Sequence, residues 1–196
     1  MKRNQIAGTI LGVVLCSLPS PGLAQSAGTD PASPASSAVL RGQVQQFQVI
    51  INRNLQTLLN HPFAMLQDAK GIYLPRFGVV FHMELNLAPL RTLSPFDLRP
   101  YTDQELRQAR DTKLERIRAL KNQLSGLLQA QGAELSAVPP DQNIAVVVHL
   151  FNLPSERTDG LPTQIVIEVS SGVLADTSVR MASAEEFRKK VAFFDF

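Results

Sequence analysis

From Ala38 to Asn60 the apolar residues Leu40, Val44, Phe47, Ile51, Leu55 and Leu58 recur at steps of four, three, four, four and three. That is the spacing of one helical face, and it predicts a helix that packs on something. Ser36 or Ser37 suits its N-cap, and Pro62, behind His61 in an end-of-helix capping position, stops it. Gly71 to Leu74 and Gly78 to Leu87 follow as two strands, with Pro75 presetting a turn between them. The second strand alternates. Val79, Phe81, Met83, Leu85 and Leu87 point one way, and Val80, His82, Glu84 and Asn86 the other.

Ala88 to Tyr101 sets Pro89, Pro95 and Pro100 among Leu90, Leu93, Phe96 and Leu98. It is too apolar for a solvated linker and too rich in proline for regular structure, so a packed excursion over the sheet is expected. Thr102-Asp103-Gln104-Glu105 then matches a capping box and opens the strongest helix, with Leu106, Ala109, Leu114, Ile117, Leu120, Leu124 and Leu127 as its apolar side and Gly132 at its end. Its basic run (Arg107, Arg110, Lys113, Arg116, Arg118, Lys121) is interleaved with acids and reads as a solvated face.

Asn143 to Leu153 and Thr163 to Ser170 are two further strands, and Asp159-Gly160 between them suggests an antiparallel hairpin with a long loop. Ser183-Ala184-Glu185-Glu186 is a second capping-box match, starting a short helix, and Phe193, Phe194 and Phe196 would dock a terminal strand or tail. The expected fold is α+β: a single mostly antiparallel or mixed sheet of about four to five strands. Two long helices pack mainly on one face, and a short helix lies near the C-terminus. Phe81 and Met83 are expected to pack under Phe47, Ile51, Ile117 and Leu124.

The N-terminal segment changes the picture of where this domain works. Lys2 and Arg3 precede an apolar run from Ile6 to Leu18, and Gly22-Leu23-Ala24 presents small residues where a signal peptidase reads them. Residues 1–24 are read as a signal peptide cleaved between Ala24 and Gln25, residues 25–37 as a disordered Ala/Ser/Pro linker, and 38–196 as a single α+β domain. The apolar run is shorter than the roughly 20 residues of a membrane span, so no transmembrane segment is expected in the mature chain. A periplasmic or secreted bacterial protein is the implied location.

Charge agrees with that reading. The formal net charge is +2, but removing Lys2 and Arg3 leaves 19 − 2 = 17 basic against 17 acidic residues. A neutral domain lacks the field that draws a nucleic-acid binder onto phosphates, so no nucleic-acid partner is expected. The one cysteine, Cys16, lies in the leader, which leaves the mature domain without disulfide, thiolate ligand or cysteine nucleophile. Lipidation of Cys16 would require a small residue before it, and Leu15 is too large.

Around Gly71-Ile72-Tyr73-Leu74-Pro75-Arg76-Phe77-Gly78-Val79-Val80-Phe81 the chain resembles a group of predicted secreted bacterial proteins of unknown function. They carry a Tyr-Leu/Ile-Pro-Gly-Tyr/Phe-Gly-Val-Val-Phe segment after an N-terminal helix. They also end in an apolar strand and a Glu-Glu-Phe-x-x-Lys helix, matched here by Glu185-Glu186-Phe187-Arg188-Lys189-Lys190. Arg76 stands where the group has glycine. The resemblance implies export and fold, and no activity.

Signatures of zinc hydrolases, serine hydrolases and nucleotide binders are absent from the sequence, and no cofactor is implied. The expected class is a non-catalytic binding or interaction module, with an envelope protein or a second copy as partner. The alternative is a metal-binding or hydrolytic site on the sheet. Alternation puts His82 and Glu84 on the face away from the helices. If Ile144, Val146 and Val148 touch the helices, His149 joins them, and Glu168 follows from the next strand. Two imidazoles and two carboxylates are suitable ligand types for zinc. The same residues equally suit a polar outer face that serves as a docking surface.

Overall fold

The computed structural model describes residues 34–59, 65–88, 100–176, 179 and 181–196. The segment read as a signal peptide with an Ala24/Gln25 cleavage site, Cys16, His61 and the proline-rich stretch 89–99 lie outside them, as does the expected linker up to residue 33. By contacts the chain divides into Met1–Ala32 and Ser33–Phe196, and all the described residues belong to the second unit.

Helix α1 spans Pro34–Leu59 and so takes in the last four positions that composition assigns to the tether. A proline in the first turn is compatible with a helix, because its missing N–H would have no partner there. The buried stripe of α1 is Leu40, Val44, Phe47, Ile51 and Leu55. Strand β1 (Met65–Leu74) is longer than the apolar run Gly71 to Leu74 implies, and its N-terminal half is irregular in register.

Strand β2 (Gly78–Leu85) follows through a tight turn in which the Phe77 N–H donates to the Leu74 carbonyl at 3.1 Å. Arg76 occupies the third position of this turn with φ 71°, a conformation that favours glycine. The two glycines flanking the turn answer different demands. A Cβ on Gly71 would run into Val44 and come within 2.7 Å of the Phe81 ring, so Gly71 lets α1 lie close on the strand. Gly78 has φ 126°, and a side chain there would strike the Asn143 carbonyl at the start of the next strand.

Helix α2 (Asp103–Gln131) carries the capping box at Thr102 and Glu105 in full and crosses back over the sheet to β3 (Asn143–Leu150). Such a crossover makes β2 and β3 parallel. Gly132 ends α2 with φ −60°, not the left-handed value usual at a C-cap, and the chain continues into one 3-10 turn. Its smallness serves packing, since a Cβ there would lie 2.7 Å from Leu174.

Strand β4 (Gln164–Ser170) pairs antiparallel with β3. Helix α3 (Ser171–Ala175) and helix α4 (Ala184–Arg188) follow, α4 with its own capping box of Ser183 and Glu186. The Ser183 backbone N–H, then its hydroxyl, hold the Glu186 carboxyl below its ordinary pKa. Strand β5 (Ala192–Asp195) pairs antiparallel with β4 and completes a mixed sheet in the order β1-β2-β3-β4-β5.

The helices lie on one side of this sheet. Phe81 and Met83 join Phe47, Ile51, Ile117 and Leu124 in one core, with the Phe47 and Phe81 rings 5.2 Å apart. Among the described residues no helix is long and apolar enough to cross a membrane.

Candidate functional site: the open face of the sheet

The face away from the helices is built by register. Side chains directly opposite across paired strands share a face, so the pairings generate rows. One row runs Ile72, Val80, Ala145, Glu168, Ala192, and the next Lys70, His82, Val147, Val166, Phe194. A third runs Glu84, His149, Gln164 and Phe196, the last joined through mutual backbone bonds of 3.0 and 3.1 Å with Gln164. Valines hold the centre, charged and imidazole groups lie among them, and aromatics stand at the β5 side. Ile72, Phe194 and Phe196 are 47%, 44% and 67% exposed.

All four residues considered as metal ligands point to this face, but the strands space them unequally. Glu84 and His149 are direct neighbours across β2 and β3. His82 stands opposite Val147 and so lies one diagonal from His149, and about 7 Å along its own strand from Glu84. Glu168 is opposite Ala145, four residues from His149 along β3, and its carboxylate accepts a 2.7 Å hydrogen bond from the Asn143 amide. Among the described residues no group of three or more His, Cys, Asp or Glu side chains is gathered where it could hold a metal ion.

A second polar cluster lies beyond the C-terminal ends of β2 and β3. Lys113 of α2 is only 1% exposed. Its ammonium donates to the Phe151 carbonyl at 3.0 Å, to Asn152 Oδ1 at 2.7 Å and to Glu156 Oε2 at 2.5 Å. Three donors meet three acceptors, which is what a buried ammonium requires. Glu156 also accepts the Leu153 N–H at 3.0 Å, so the pair clamps the β3–β4 loop.

Neighbouring cations of α2 hold other segments. Arg110 donates to the Asp159 carbonyl, Arg116 to those of Leu87 and Ala88, and Lys121 to the Asp195 carboxylate. The basic run is therefore not simply a solvated face; much of it ties α2 to the chain around it. Its signal in the sequence is spacing: Ala109, Lys113, Ile117, Leu120 and Leu124 fall on one stripe, with lysine in an apolar position.

Compared with family models, curated proteins and solved structures, the chain matches none.

Proposed function

We propose that this chain is an exported envelope protein whose domain is a non-catalytic interaction module, with the open sheet face as its docking surface. One observation carries the reading: the parallel pair β2/β3 lies at the centre of the sheet, yet among the described residues helices cover only one side of it. Parallel strands are ordinarily covered on both faces. A face that no described helix covers, with half-buried Val80, Val147 and Val166 at its centre, has the composition of a contact surface, apolar within and polar at intervals. Export is supported by the order of the leader: Lys2 and Arg3, then the apolar run, then the small residues ending at Ala24.

The test is site-specific photo-crosslinking in the producing cell, with the reactive group at His82 or Val166 on the open face, or at Arg118 on the exposed side of α2. A defined adduct from the open face alone, in an envelope fraction, is the expected result. Equal labelling from Arg118, or a chain that keeps Met1 in the cytoplasm, overturns the proposal.

A further inference from the structure

The two edges of the sheet are treated differently. At β1 the outward N–H and C=O of Ala69 and the N–H of Gly71 are occupied by side chains of α1. The Ala69 N–H donates to Asn52 Oδ1 at 2.7 Å, Asn52 Nδ2 donates to the Ala69 carbonyl at 3.3 Å, and the Gly71 N–H donates to Gln48 Oε1 at 3.1 Å. Irregular register further along β1 adds to this, since bulges and covering elements blunt an edge against strand addition.

At β5 nothing comparable is found among the described residues. The mutual bonds of Gln164 and Phe196 set the ladder, so the bonded pairs with β4 are Gln164–Phe196, Val166–Phe194 and Glu168–Ala192. Phe193 and Asp195 therefore aim their N–H and C=O groups away from β4. Among the described residues these groups have no hydrogen-bond partner.

We propose that β5 pairs antiparallel with β5 of a second copy, joining two sheets edge to edge about a two-fold axis. This goes beyond the docking role of the open face, because it uses the sheet's edge. The register follows from the backbone. Centring the pair on Phe194 sets Phe193 against Asp195 of the other copy twice over, so both outward residues of each strand are used.

Side chains on both faces suit the same register. On the open face Phe194 meets its own copy, and the exposed Phe194 and Phe196 rings, stacked with centroids 6.5 Å apart, join the equivalent pair in one apolar cluster. On the helix side Phe193 lies under the Arg188 guanidinium, 5.3 Å from its centroid, and the incoming Asp195 brings a carboxylate beside that cation. The α1 side chains on Ala69 and Gly71 disfavour head-to-tail pairing of β5 with β1, which gives rings or open fibres, relative to the closed two-fold pair.

Sedimentation velocity of the full chain over a concentration series is the first measurement, with a reversible dimer expected. Phe194→Cys should form a disulfide-linked dimer on mild oxidation, because directly opposed side chains at a non-hydrogen-bonded position come within bridging reach. Ala192→Cys, set opposite Phe196, should not, and the parent with Cys16 alone is the control. Asp195→Pro removes an N–H that β4 does not use, and with Phe194→Lys should shift the chain to monomer with an unchanged circular dichroism spectrum.

A monomer at every concentration, or equal cross-linking at positions 192 and 194, overturns the pairing. A monomer whose open face still labels an envelope partner discards the pairing and keeps the docking role. A β5 dimer with a silent open face does the reverse.

Discussion

Asn52 of α1 binds both backbone polar groups of Ala69 in β1, accepting from its N–H at 2.7 Å and donating to its carbonyl at 3.3 Å. A carboxamide has one acceptor and one donor side, which is what an adjacent strand would present. The helix thus stands in for a sixth strand at this point, and Gly71 makes the close approach feasible by leaving room for Val44.

Replacing Asn52 by leucine keeps the branched shape of the side chain and strands two polar groups of a fully buried residue. We predict a loss of about 2–6 kcal/mol, from about 1–3 kcal/mol for each of the two orphaned groups. Urea unfolding measures it, and a loss below 0.5 kcal/mol, on the order of an ordinary surface substitution, would show that water replaces the amide.

Phe81 sits at the centre of the core, fully buried and against Phe47. Phe81→Ala is expected to cost about 3–5 kcal/mol, read as a large fall in melting temperature. A mutant that melts with the parent contradicts the packing.

Arg76 holds φ 71° in the turn between β1 and β2 without any benefit from its side chain that the structure reveals. The left-handed conformation costs an L-residue roughly 1–2 kcal/mol, partly offset by the greater chain entropy that glycine loses on folding. Arg76→Gly is predicted to stabilise the domain by about 0.5–1 kcal/mol. An unchanged or lower denaturation midpoint would contradict this.

Glu156→Leu leaves the Lys113 ammonium buried without its counter-charge and is expected to destabilise by about 3–5 kcal/mol. The double change Lys113→Met with Glu156→Leu should recover most of that loss, since apolar groups can replace a buried pair at little cost. Chemical denaturation of the single and double mutants decides it, and limited proteolysis within residues 151–163 should follow the same order.

Glu186 is held below its ordinary pKa by the capping bonds from Ser183. A folded-state value below the unfolded one contributes stability above the unfolded pKa, and that contribution is lost as pH falls through the folded value. Protection of the first-turn amides of α4, relative to their intrinsic exchange rate, is therefore expected to fall below about pH 4.5, the ordinary carboxylate value. Glu186→Gln should remove the transition, and Ser183→Ala, which keeps the backbone N–H, should only weaken it.

The features that the sequence determined by itself are those with local causes. Alternation along β2 decided that Val79, Phe81 and Met83 are buried while His82 and Glu84 face out, because successive side chains of a strand must point to opposite sides. Thr102 and Ser183 marked two helix starts because a capping box closes within four residues. The residues of the open face were legible for the same reason.

Their grouping was not. Which side chains stand together depends on strand order and register, and these result from α2 carrying the chain back to lay β3 parallel beside β2. That pairing is what makes Glu84 and His149 neighbours and leaves Glu168 apart. The burial of Lys113 waited on a loop some forty residues later in the chain to supply its three acceptors. The contrast between the edges likewise needed a helix side chain to meet a strand backbone, Asn52 on Ala69. Local periodicity carries no term for contacts so distant in sequence, and only the assembled tertiary structure decides them.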